Sequence, residues 1–337
     1  MQIKKFKKYI LLIVLITFST IKVSAQNTMI REHQSARKLV TNSLLTERIG
    51  HLCDSLCEGR GSGQKGGGIA ALWLQREFER IGLMKMNGGY AHGVKLSEGR
   101  YGRNIIGMLP GSKATTRDRY VIVGAHYDHL GTLDGKIYPG ADANASGTAS
   151  LLSLAEMLTE YKDGERTHNS NVIFVAFDAK EHDMAGSKAL WRMIENGLLT
   201  DPQSGKTITK DKISLMVNID QIGCTISPLS SGRKDYMIML GNHSLKSSAR
   251  DIINYCNKAY AIDMEIDQTY YGSKNFTRMF YRLSDQRVFV DHGIPAVFFT
   301  SGITMNTNKT RDDVQTIDTE ILRKRIFLMY HWLEKML

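Results

Sequence analysis

The stretch Tyr120-Val121-Ile122-Val123-Gly124-Ala125-His126-Tyr127-Asp128 decides how the rest of the chain reads. Its first six residues are apolar or aromatic without alternation, the pattern of a strand buried on both faces. Such strands belong to sheets covered by helices on both sides. The run turns polar at His126 and Asp128, at the carboxyl end of the strand, where open α/β sheets gather their ligands.

The same pattern recurs on either side. Strands are expected at 104–109, 171–177, 213–219, 236–240 and 296–300 as well as 120–125, with helices at 146–161, 185–196, 247–260 and 319–337. Near-continuous apolar strands alternating with amphipathic helices predict an α/β sheet covered on both faces. Polar clusters follow three of these strands: His126 and Asp128, then Asp178 and Glu181, then Asp220. Ahead of them, 40–56 and 69–81 are spaced as helices around the Gly-rich turn Glu58-Gly59-Arg60-Gly61-Ser62-Gly63.

Composition agrees with a folded core and narrows the partners. The chain has 337 residues, 42% of them hydrophobic and 23% charged, which is too apolar for disorder. Lys4, Lys5, Lys7 and Lys8 precede an apolar run at 9–18, and Val23-Ser24-Ala25 follows as a small-residue cleavage pattern. Residues 1–25 are therefore expected to be a signal peptide cut near Ala25, making the protein exported, periplasmic or extracellular. The run is too short for a stable membrane anchor, and no cysteine follows the cut to carry a lipid. The five lysines of this leader account for half of the formal +10, leaving +5. Without a clustered basic stripe, nucleic acid is not expected as a partner. Cys53, Cys57, Cys224 and Cys256 could form up to two bridges in three pairings, or remain buried thiols.

Taken singly, the polar clusters are weak signals, since a lone His or Asp at a strand end is commonly a hydrogen-bonded or capping residue. In order, they are specific. Gly124-Ala125-His126-Tyr127-Asp128, Gly140-Ala141-Asp142-Ala143-Asn144-Ala145-Ser146-Gly147, Phe177-Asp178-Ala179-Lys180-Glu181 and Asn218-Ile219-Asp220 together resemble metallopeptidase family 28, the di-zinc exopeptidases. This family includes aminopeptidases, glutamate carboxypeptidases and glutaminyl cyclases. Glu58-Gly59-Arg60, Asn104-Ile105-Ile106-Gly107, Pro110-Gly111-Ser112, Gly293-Ile294-Pro295-Ala296 and Ile317-Asp318 extend the likeness. The resemblance implies a three-layer α/β/α fold with a mixed, mostly parallel sheet. It divides the mature chain into a helical segment at 26–100 packing on a zinc exopeptidase-like domain at 101–337.

It also implies a chemistry in which two zinc ions activate a water, a glutamate is general base, and an N-terminal residue leaves a peptide. Carried over residue by residue, His126 and Asp220 match ligands of one ion, Glu181 a ligand of the other, and Asp128 the carboxylate orienting the imidazole. Three positions depart. Ala143 stands where the bridging aspartate is expected, Lys180 at the general base and Asn308 at the last His ligand. A methyl group binds no metal, an ammonium accepts no proton, and an amide oxygen is a poor zinc ligand beside imidazole.

Zinc is thus expected to bind weakly or not at all, and Lys180 to act as counter-ion for Glu181 and Asp220. Asp142, His182 and Asp183 are the alternatives for a rebuilt ligand set. The leading expectation is an exported, catalytically inactive or strongly impaired homologue whose cleft binds peptide or protein. The alternative is an active aminopeptidase with a rebuilt or single-metal site. A glutaminyl cyclase ranks last, because two of its three zinc positions fall on Ala143 and Asn308.

Overall fold

A computed structural model describes residues 36–111, 118–163, 168–226 and 232–337. The leader read at 1–25 lies outside the described residues. Contacts divide the chain into Met1–Leu39 and Val40–Leu337, and the account below concerns the second unit.

Among the described residues, nine strands form one sheet in the order β1-β3-β7-β4-β8-β11-β9-β10, with β2 also beside β3. These are β1 (Met84–Lys85), β2 (Ala91–Lys95), β3 (Tyr101–Leu109), β4 (Tyr120–His126), β7 (Asn171–Phe177), β8 (Ile213–Ile219), β9 (Tyr236–Leu240), β10 (Glu265–Asp267) and β11 (Ala296–Thr300). β5 (Gly131–Leu133) and β6 (Lys136–Tyr138) make a separate hairpin. β7, β4, β8 and β11 run parallel, β3 is antiparallel to β7, and β9 is antiparallel to β11. The sheet is therefore mixed with a parallel centre, and the three-layer α/β/α expectation holds.

The reason is visible in the central strands. Every residue of β4 and β7 is buried, so both faces need cover, and the helices supply it. They are α1 (Asn42–Cys53), α2 (Lys65–Ile81), α3 (Gly147–Asp163), α4 (Ala185–Glu195), α5 (Ile252–Ala259), α6 (Lys274–Phe280), α7 (Gln286–Asp291) and α8 (Thr319–Met336). Each fully buried Val, Ile or Phe in such a centre contributes roughly 1.5–3 kcal/mol. No helix among the described residues is long and apolar enough to cross a membrane.

The sequence spacing misplaced several boundaries, as where the helix expected at 247–260 begins only at Ile252, and most clearly at the Gly-rich run. The Gly-rich run was expected to interrupt helix until 69, yet α2 begins at Lys65 and contains Gly66 and Gly67. Here glycine serves close approach: a Cβ at Gly66 would lie 2.0 Å from the Cys57 carbonyl oxygen. The helix start thus packs directly on the Ser55–Arg60 turn.

Candidate functional site

The site is assembled at the carboxyl ends of β4, β7 and β8. His126 ends β4 and is fully buried, with Nε2 3.3 Å from Asp220 Oδ1 and Nδ1 3.5 Å from Asp128 Oδ1. Asp128 accepts the backbone N–H groups of Lys180 at 3.0 Å and Glu181 at 3.1 Å. One carboxylate therefore orients the imidazole and holds the next loop in register. That loop turns on Ala179, whose φ of 58° is left-handed, an uncommon conformation for a residue with a Cβ. Asn104 fixes its far side, accepting from Asp178 N and donating to Gly186 O. A Cβ at Gly186 would sit 2.0 Å from the Asp178 carbonyl oxygen, which explains the Gly186-Ser187 register.

On this frame Lys180 Nζ lies 3.1 Å from Glu181 Oε1 and 4.0 Å from Asp220 Oδ2. The ammonium stands against the two carboxylates that sequence reading assigned to different metal ions. Burial alone would lower the Lys180 pKa, but Asp220 and Glu181 outweigh it and hold it above its usual value. Burial would raise Asp220, yet Lys180 and His126 keep it well below the ordinary carboxylate range. His126 would be depressed by burial, and Asp220 and Asp128 instead push it up to about 10. Two cations thus face three carboxylates, so side chains alone offset most of the negative charge.

A pH dependence follows from His126. Its folded value exceeds the ordinary 6.5, so its contribution to stability is complete below that pH and is lost as pH rises toward 10. Urea unfolding from about pH 6 to about pH 10 should show this decline in the unaltered chain and less of it in His126→Gln.

The remaining positions sit on a second segment. Ala143 N donates to Asp312 Oδ2 at 3.1 Å and Asp142 N to Asp312 Oδ1 at 2.8 Å. Asp142 is turned away from a bridging place: its Oδ1 accepts from Gly223 N at 2.7 Å and Cys224 N at 3.1 Å. Asp183 is exposed and paired with Lys188 at 2.6 Å, and His182 is exposed. Asn308 is exposed on the loop after β11, at φ 59°, a left-handed conformation asparagine tolerates better than most residues. His126, Asp128, Lys180, Glu181 and Asp220 are therefore brought together, while Asn308 is exposed on the loop after β11.

Three contributors escaped the sequence reading. Ser284 Oγ donates to Asp220 Oδ2 at 2.7 Å, and Ser62 Oγ donates to Asp178 Oδ1 at 2.7 Å. Arg60, named only as part of a motif, is buried and donates to the carbonyls of Tyr127, Leu52, Pro139 and Gly140. It ties β4 to the segment carrying Ala143. The pair Ser284-Asp285 was the available signal, lying just before α7. All four cysteines are free thiols, pushed up by burial, so the open question of bridges resolves in favour of thiols.

The pattern of peptidase family M28 matches residues 104–333, from within β3 to within α8, and includes His126, Asp128, Lys180, Glu181 and Asp220. The chain belongs to that family. It is 25% identical over 264 residues to leucine aminopeptidase 1 of Aspergillus clavatus, covering 75% of this chain and 58% of that protein. The chain thus spans under two thirds of that relative's length. An aminopeptidase of Legionella pneumophila superposes with a TM-score of 0.66 at 18% identity, over 90% of this chain and 74% of that one. A glutaminyl cyclase of Porphyromonas gingivalis gives 0.63 at 16% identity, over 88% of this chain and 99% of that one.

For this member of family M28 the donor set does not fit two zinc ions. One ion would have His126 and Asp220, the other only Glu181, where a catalytic zinc site normally has at least three protein ligands. The methyl of Ala143 offers no bridge, and the Lys180 ammonium competes for the same carboxylates. Among the described residues no group of three or more His, Cys, Asp or Glu is arranged to hold a metal ion.

Proposed function

We propose that this chain is an aminopeptidase-like protein that no longer hydrolyses peptides and keeps its cleft for binding a peptide or partner protein. The observation that carries this is the Lys180 ammonium 3.1 Å from Glu181 and 4.0 Å from Asp220. An ammonium there can neither take a proton from water nor tolerate a dication beside it. Hydrolysis of amino-acid anilides, with and without added zinc, tests the reading. No turnover is expected in either case, and chelator-sensitive turnover contradicts it.

Retention of His126, Asp128, Glu181 and Asp220 within one cluster favours a second reading, an active enzyme with a single-metal site. That reading requires zinc to displace the Lys180 ammonium. We also propose, from the leader at 1–25, that the mature protein acts outside the cytoplasm. Amino-terminal sequencing of the secreted fraction should then begin after Ala25.

Lys180 gives this reading a stability signature. Lys180→Ala leaves Glu181 and Asp220 facing each other without a cation, which should cost about 1–2 kcal/mol, given the partial exposure of Lys180 and Glu181. Adding Glu181→Gln removes one of the like charges and should recover much of the loss. An unchanged melting temperature in Lys180→Ala contradicts the counter-ion role.

A further inference from the structure

Asp285 is a buried acid without a donor. It directly precedes α7, where an aspartate commonly caps the helix, yet its side chain makes no cap bond. Both of its oxygens are buried, and neither has a hydrogen-bond partner among the described residues. Ser187 on α4 lies beside it but donates its hydroxyl to Met184 O at 3.1 Å. A carboxylate buried without a donor is strongly disfavoured, and such a group keeps a proton instead.

That proton needs an acceptor, and Asn218 near the end of β8 supplies one. The surrounding bonds fix which way its amide points. Gln286 Nε2 donates to Tyr281 O, which leaves Gln286 Oε1 to accept from Asn218 Nδ2 at 2.7 Å. Ser284 Oγ gives its proton to Asp220 Oδ2 and accepts from the same Nδ2 at 2.9 Å. Asn218 Oδ1 is left buried with no donor. Asn218 therefore grips the residues on either side of Asp285 while its own carbonyl lacks a partner.

The charged groups facing Asp285 are His126 and Asp128, from β4 and the turn after it, and Asp220 at the end of β8. None of them bonds to it. Burial pushes the Asp285 carboxyl up to about 6; His126 opposes this, and Asp128 and Asp220 reinforce it.

We propose that Asp285 holds a proton shared with Asn218 Oδ1, and that this bond is a pH-sensitive latch keeping Ser284 against Asp220. When the proton leaves, an uncompensated charge stands near Asp128 and Asp220, α7 loosens from β8, and Ser284 loses its place. The folded pKa lies above the ordinary 3.8, so the latch contributes fully below that value and is lost as pH rises through about 6. This window is separate from that of His126, which begins at 6.5 and runs to about 10. The latch goes beyond the binding reading above and does not rest on it, since its test needs neither ligand nor turnover.

The test is amide hydrogen exchange of the full mature chain, read by mass spectrometry over residues 284–291. Relative to their intrinsic rates, these amides should be about tenfold better protected at about pH 5 than at about pH 8. Asp285→Asn keeps the shape and gives Asn218 Oδ1 a permanent donor. At about pH 8 it should show the protection that the unaltered chain reaches only at about pH 5, where its infrared spectrum should also lack one protonated-carboxyl band. Asp142 and Asp178 are likewise pushed up to about 6 by burial, and their titration persists in Asp285→Asn, so the difference between the two chains isolates Asp285. Asp285→Ala leaves Asn218 Oδ1 bare and should be poorly protected at both pH values. Exchange over 284–291 that ignores pH in the unaltered chain overturns the proposal, as does a pH dependence that survives in Asp285→Asn. So does an Asp285→Asn chain that fails to fold, or that is less stable in urea than the unaltered chain at about pH 8.

Discussion

Replacing Ala143 by Asp, Lys180 by Glu and Asn308 by His in one chain is expected to create tight zinc binding, which the unaltered chain is proposed to lack. Each change removes one defect of the donor set. The backbone for the bridging carboxylate is already held, because Asp312 receives the N–H groups of Asp142 and Ala143. His126, Asp220 and Glu181 need not move far, since Asp128 and Ser284 fix their surroundings. Without metal the triple variant gathers additional carboxylates around Glu181 and Asp220, and mutual repulsion should destabilise it. Zinc should then raise its melting temperature steeply, because a ligand bound only by the folded state stabilises by mass action. The single variant Lys180→Glu should be less stable than the unaltered chain and gain little from zinc, as the bridge and one imidazole are still missing. A triple variant whose unfolding ignores zinc would refute this account of the three substitutions.

Arg60→Ala is expected to be strongly destabilising. The guanidinium is fully buried and satisfies four backbone carbonyls from three separate segments. Removing it strands those acceptors and opens a cavity, and each unsatisfied buried polar group costs about 1–3 kcal/mol. With partial relaxation, a loss of roughly 4 kcal/mol or more is expected in urea unfolding. Arg60→Lys should recover only part, because an ammonium has three donors and lacks the planar fork. A loss below about 1 kcal/mol would show that water replaces the guanidinium without cost.

The central strands were legible because burial on both faces leaves an unbroken apolar run. β7, β8, β9 and β11 occupy the residues expected, and β4 extends one residue further to take in His126. β2 and β10 were not legible: β2 is a half-exposed edge strand containing Gly93, and β10 has only three residues. α6 and α7 escaped because helices this short leave little period to detect. The candidate site was readable where a motif names the residue, as at His126, Asp128, Lys180, Glu181 and Asp220. Ser284 was not, since its role depends on a turn 64 residues away folding back onto Asp220. The ion pairing of Lys180 lay between these cases: the sequence placed it next to Glu181, and only the fold brings Asp220 within 4.0 Å.

The most direct measurement is elemental analysis of the purified mature chain after dialysis against trace zinc. The arrangement of Lys180 among the surviving carboxylates predicts that no zinc is retained. Two tightly held ions per chain would contradict it.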